Sequence, residues 1–136
     1  MKRLVFPFIL ILISTMPLTA ESITVLSEER ETELDLNYTH VMKVRAAENA
    51  GLWRFDVTLR HGDEGWDHYA NLWVVVDVET GEEYGRRVLA HPHVNEQPFT
   101  RSQSGIRIPE GVTAVTVKAA CNVHGFGGTE LAVQIK

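Results

Sequence analysis

Residues 119–128 read AACNVHGFGG, and Cys121 and His124 within this stretch carry the strongest chemical signal in the chain. Cys121 is the single cysteine. A cysteine without a partner is either a small buried hydrophobe or a thiolate with a chemical task. The chain also has six histidines, His40, His61, His68, His91, His93 and His124. Imidazole is the commonest metal-binding side chain, and thiolate binds borderline-soft metals strongly. Several histidines and one cysteine therefore make a mononuclear metal site wherever a fold brings them together. Histidines facing solvent from separate loops are the competing reading, and the Cys121-x-x-His124 spacing favours the metal.

Bringing them together is a task for strands. Trp53, Phe55, Val57 and Leu59 alternate with polar residues over 53–60, which predicts a strand with one buried face. Residues 72–78 form a continuous β-branched and aromatic run, which suits a strand buried on both sides. Further strands are expected over 105–108, over 112–120 after the turn Pro109-Glu110-Gly111, and at Leu131, Val133 and Ile135. Shorter ones are expected over 23–26, 41–46 and 84–89. Seven to eight short strands with turn residues between them predict an all-β fold, an immunoglobulin-like antiparallel β-sandwich. Each histidine falls at a strand end, and strand ends gather at the rims of a sandwich. Alternation through Val115, Val117 and Ala119 places Cys121 on the inward face, where its strand gives way to a loop.

The first twenty residues have a different character. Lys2 and Arg3 precede an apolar stretch over 4–13, and Ala20 ends a small, polar exit. This predicts a secretory signal over 1–20 and one domain over 21–136, in the periplasm or secreted. The apolar stretch is too short for a comfortable membrane span, and no second one follows, so no membrane span is expected. No cysteine follows Ala20, as a lipid-anchored export signal would need. Removing Lys2 and Arg3 takes the net charge from −5 to −7. An acidic chain without a basic stripe excludes nucleic acid as a natural partner.

The string Cys121-Asn122-Val123-His124-Gly125, shortly before the closing strand, resembles the C-terminal metal motif of superoxide reductases, the iron-binding domain of desulfoferrodoxin and neelaredoxin. His40-Val41, then His61 and His68 in RHGDEGWDHYANLWVVVD, with Asp67 as acidic neighbour, follow that family's order of histidines. The resemblance implies an immunoglobulin-like sandwich on which His40, His61, His68, His124 and Cys121 hold one non-haem iron. It further implies reduction of superoxide to hydrogen peroxide, with electrons from a separate donor protein. Neutral imidazoles would preserve the metal's positive charge, and the thiolate would donate electron density to it. Backbone N–H groups near Asn122 and Gly125 are candidates to hydrogen-bond the sulfur, and the glycines at 125, 127 and 128 would let the backbone pass close to the metal.

Two departures qualify the resemblance. Tyr38-Thr39 stands where the family usually has Glu-Lys, which removes a cation that draws in superoxide; Arg60 or Arg101 would have to replace it. The segment HPHVNEQPFTRS, residues 91–102, has no counterpart in the enzyme. His91 and His93 there offer a second metal cluster with Glu96, a part of the first site in place of His40, or a Pro-stiffened turn. A copper electron-transfer site would need a methionine after Cys121, and none follows. The rival function is a non-catalytic module that binds zinc, copper or a partner.

Overall fold

The computed structural model describes residues 21–135; the expected signal segment, 1–20, lies outside the described residues. Nine strands follow one another: β1 (Ser22–Leu26), β2 (His40–Asn49), β3 (Leu52–Arg60), β4 (Ala70–Asp77), β5 (Glu83–Val88), β6 (Phe99–Ile106), β7 (Ala114–Cys121), β8 (Gly125–Phe126) and β9 (Leu131–Gln134). A 3₁₀ turn at Glu31–Glu33 is the only helical element among the described residues.

All pairings are antiparallel, in two sheets. One has the order β1-β2-β3-β6. The other has the order β5-β4-β7, with β8 and β9 on the far edge of β7. The chain changes sheets between β3 and β4, between β5 and β6, and between β6 and β7. These crossings interlock the sheets as in an immunoglobulin-like sandwich, so the expected fold class is the observed one.

The core follows the sequence pattern. Trp53, Phe55, Val57 and Leu59 are buried on the inner face of β3, and they meet Trp73, Val75, Val115 and Val117 of the other sheet in one cluster. Each such large side chain, fully buried, stabilises the fold by about 1.5–3 kcal/mol. Residues 73–76 are buried on both faces of β4, as the continuous apolar run predicts. Two elements differ from expectation. β6, expected over 105–108, runs instead from Phe99 to Ile106, because it pairs with β3 from Leu59 to Trp53. β8 is a two-residue strand within the glycine-rich turn.

Register brings the chemistry to one rim. β2 starts where β3 ends, with His40 opposite Arg60. β4 starts where β7 ends, with Ala70 opposite Cys121. The 61–69 connection crosses from one sheet to the other over this same rim. Between β8 and β9 the edge of β7 is interrupted, and the chain leaves it to pair with the start of β2: Val41 N–H donates to the Thr129 carbonyl over 2.9 Å.

Candidate metal centre

His61 directly follows β3, His68 precedes β4 by two residues, and Cys121 ends β7. One potential ligand atom from each lies within 4.8 Å of the other two, and all three residues are buried. Neighbouring donors around a tetrahedral zinc-like ion are about 3.5 Å apart, so an inward movement of about 1 Å brings all three to one ion. His68 supplies an independent sign: its Nε2 is buried without any hydrogen-bond partner. An orphaned buried nitrogen beside a thiol and a second imidazole has the donor chemistry of a borderline-soft metal site.

His124 completes the surroundings from the exposed side. Its Nδ1 lies 3.6 Å from the Cys121 sulfur, and its ring centroid is 5.1 Å from that of His68. The backbone N–H of His124 donates to the sulfur over 3.1 Å. The amide that reaches the sulfur is thus His124's, the third residue after the cysteine. Asn122 has another task. Its side chain accepts from Tyr69 N–H (2.9 Å) and donates to the Trp66 carbonyl (3.0 Å), while its own N–H donates to the Tyr69 carbonyl (3.1 Å). Three hydrogen bonds therefore clamp the loop that carries His68 to the end of β7.

The acid that matters is Asp63. Asp67 is exposed, whereas Asp63 is buried and accepts from His61 Nδ1 over 2.5 Å. The same carboxylate accepts from the backbone N–H groups of Ala70 (3.0 Å) and His93 (2.7 Å). Burial works against its charge, but the hydrogen bonds from His61, His93 and Ala70 outweigh burial and hold Asp63 below the ordinary aspartate range. A carboxylate behind an imidazole fixes the ring's tautomer and orientation, which is the usual arrangement behind a metal-binding histidine. Its sequence signal was only its place two residues after His61. Gln97 adds a second support: its side-chain oxygen accepts from His61 N–H (3.1 Å) and its amide donates to the His93 carbonyl (3.0 Å). The segment 91–102 thus buttresses the rear of the site.

His40 is placed differently from the other candidates. Its Nε2 donates to the Asp35 carbonyl (2.7 Å), and its Nδ1 accepts from Thr129 N–H (2.9 Å). Both ring nitrogens are engaged away from the sulfur. The glycines also have a different neighbour from the one expected. A Cβ on Gly128 would collide with the Thr39 carbonyl group, and one on Gly127 would lie 2.7 Å from the Tyr38 ring. Their bareness lets the 127–130 segment lie against residues 38–40, and Tyr38 in turn packs 5.4 Å from the His124 ring.

His91 and His93 form a separate pair with ring centroids 4.5 Å apart. His93 stacks on Phe99 at 4.0 Å, and Arg101 donates to its Nε2 over 2.8 Å. Burial, then the Arg101 and His91 charges, push the His93 pKa down. A guanidinium at that nitrogen opposes a metal cation there. Arg101 also reaches Glu96 at 3.4 Å, so it is engaged with this segment.

Among the described residues no helix is long and apolar enough to cross a membrane. No family model matches the chain, and no solved structure matches it. A protein of Halomicrobium mukohataei named "Putative lipoprotein" is similar to it, 41% identical over 114 residues. The match covers 83% of this chain and 55% of that protein, so the chain spans about half the length of the curated relative it matches.

Proposed function

We propose that this is an exported protein with a mononuclear metal centre built from His61, His68, His124 and Cys121. The observation that carries the reading is the convergence of two buried imidazoles and the single thiol at one sandwich rim, with His68 Nε2 left unpartnered. Iron is the metal the family resemblance implies, and bound there it would supply one electron to superoxide, which takes up two protons to give hydrogen peroxide. The protein's own residues prepare that chemistry. Asp63 and Gln97 orient His61, Asn122 holds the His68 loop, and His124 N–H donates to the sulfur, which moderates the electron density a thiolate gives to a metal. A separate donor protein would return the electron. Export is supported by the signal-like segment 1–20 and by the relative's name.

A non-catalytic zinc- or copper-binding module is the second reading. It is favoured by one observation: His40, a ligand in the resembled enzyme, has both ring nitrogens occupied by Asp35 and Thr129. Metal analysis of the protein purified from its exporting host, with a visible spectrum after oxidation, separates the two. Iron with a sulfur-to-metal charge-transfer band that disappears in Cys121→Ser, together with superoxide consumption, is the expected result. Zinc or copper alone, with no superoxide consumption, establishes the second reading instead.

A further inference from the structure

The backbone carbonyl of Asn37 reaches the cluster from the turn before β2, a segment that supplies no imidazole or thiol to it. Its oxygen lies 3.3 Å from His61 Nε2 and 3.5 Å from the Cys121 sulfur. Without a cation the Cys121 S–H donates to the carbonyl, and so does His61 Nε2 when that nitrogen carries a proton. Metal ligands must shed such protons. A cation that takes their place is then faced by three lone-pair atoms, an oxygen, a nitrogen and a sulfur, already gathered around the vacated proton positions.

The carbonyl is held there. Asp35 Oδ1 accepts from Asn37 N–H (3.1 Å), and the Asp35 carbonyl accepts from both Tyr38 N–H (3.1 Å) and His40 Nε2 (2.7 Å). The Leu36 carbonyl accepts from Gly62 N–H (2.9 Å), which ties the turn to the residue after His61. His40 is anchored in turn through Thr129. We propose that the Asn37 carbonyl oxygen is a further donor of the metal centre, and that His40 is the positioning residue that keeps it in place. The proposal rests on the metal reading above. Two histidines and a thiolate with a long backbone-oxygen bond form a donor set known from copper sites.

The test uses the full chain loaded with cobalt(II), and with zinc(II) as the diamagnetic reference. Labelling with carbonyl-¹³C asparagine and ¹⁵N tyrosine makes Asn37–Tyr38 the only peptide bond that carries both labels, because no other Asn-Tyr pair occurs. Carbon-detected NMR then reads the Asn37 carbonyl alone. The expected result is a sulfur-to-cobalt charge-transfer band together with an Asn37 carbonyl resonance shifted far outside the diamagnetic range. A charge-transfer band with the Asn37 resonance at its zinc-form position overturns the carbonyl donor and leaves the metal reading intact. Failure to bind cobalt overturns both. For His40→Ala, judged against its circular dichroism, the band should persist while the Asn37 shift collapses. Loss of the band in a folded His40→Ala would make His40 a ligand, and a shift unchanged from wild type would release it from the positioning role; either overturns that assignment. Asn37→Ala, labelled at the new residue, should keep the shift because the donor is backbone.

Discussion

The His61 ring and the Asp63 carboxylate meet at 2.5 Å with both side chains completely removed from solvent. Two residues of one tight connection thereby couple the end of β3, the start of β4 and the 91–98 segment, because the same carboxylate also receives the amides of Ala70 and His93. Removing one partner of a buried pair leaves the other uncompensated. Asp63→Ala should therefore lower stability by about 3–5 kcal/mol. Asp63→Asn keeps the shape, and it should weaken cobalt(II) binding by about 10–100-fold through loss of His61 orientation. Urea unfolding and a cobalt titration measure the two effects.

The same carboxylate sets an acid limit. Its folded pKa lies below the ordinary 3.8, because three hydrogen bonds overcome the opposing effect of burial. Near that value the unfolded chain binds more protons than the folded one, so stability rises with pH there. The contribution is complete above the ordinary aspartate value and is lost as pH falls through the lower folded one. Asp63→Asn should flatten the stability curve of the metal-free protein in this window, which denaturation at a series of acidic pH values would reveal.

Two glycines of the same loop should respond differently. Gly125 has φ +65°, with open space where a Cβ would sit, so Gly125→Ala meets only the left-handed backbone penalty, about 1–2 kcal/mol. Gly128→Ala drives a carbon into the Thr39 carbonyl group, backbone against backbone. It should cost about 3 kcal/mol or more and separate the loop from the start of β2. Thermal unfolding of the two variants gives the ranking.

His124 is exposed, and its ring contacts are with Tyr38, His68 and the sulfur. Surface substitutions usually change stability by less than about 0.5 kcal/mol, and the exposed His124 ring reaches the buried sulfur only over a long 3.6 Å contact. His124→Ala should therefore leave the unfolding midpoint of the metal-free protein nearly unchanged while lowering cobalt(II) affinity. A large loss of stability without any loss of affinity would remove His124 from the proposed centre.

Much of the fold was legible along the chain. Alternation over 53–60 and the β-branched run over 72–78 are local patterns, and local patterns specify strands and their buried faces. The same logic put Cys121 inward at the end of β7, which is where it lies. The start of β6 was hidden because its early residues are polar and turn-like, and they become a strand only by pairing with β3.

The site divides along the same line. Residue type nominated Cys121 and all six histidines, and the family resemblance narrowed the histidines to His40, His61, His68 and His124. Only the tertiary structure could separate His40, whose nitrogens are taken by a carbonyl five residues back and an amide 89 residues ahead. It alone could select Asp63 over Asp67, because burial of a carboxylate depends on which amides the surrounding segments deliver to it. Side-chain chemistry is written in the sequence, but hydrogen-bond partners and backbone carbonyls belong to no motif. They acquire their roles when distant strands fix the distances between them.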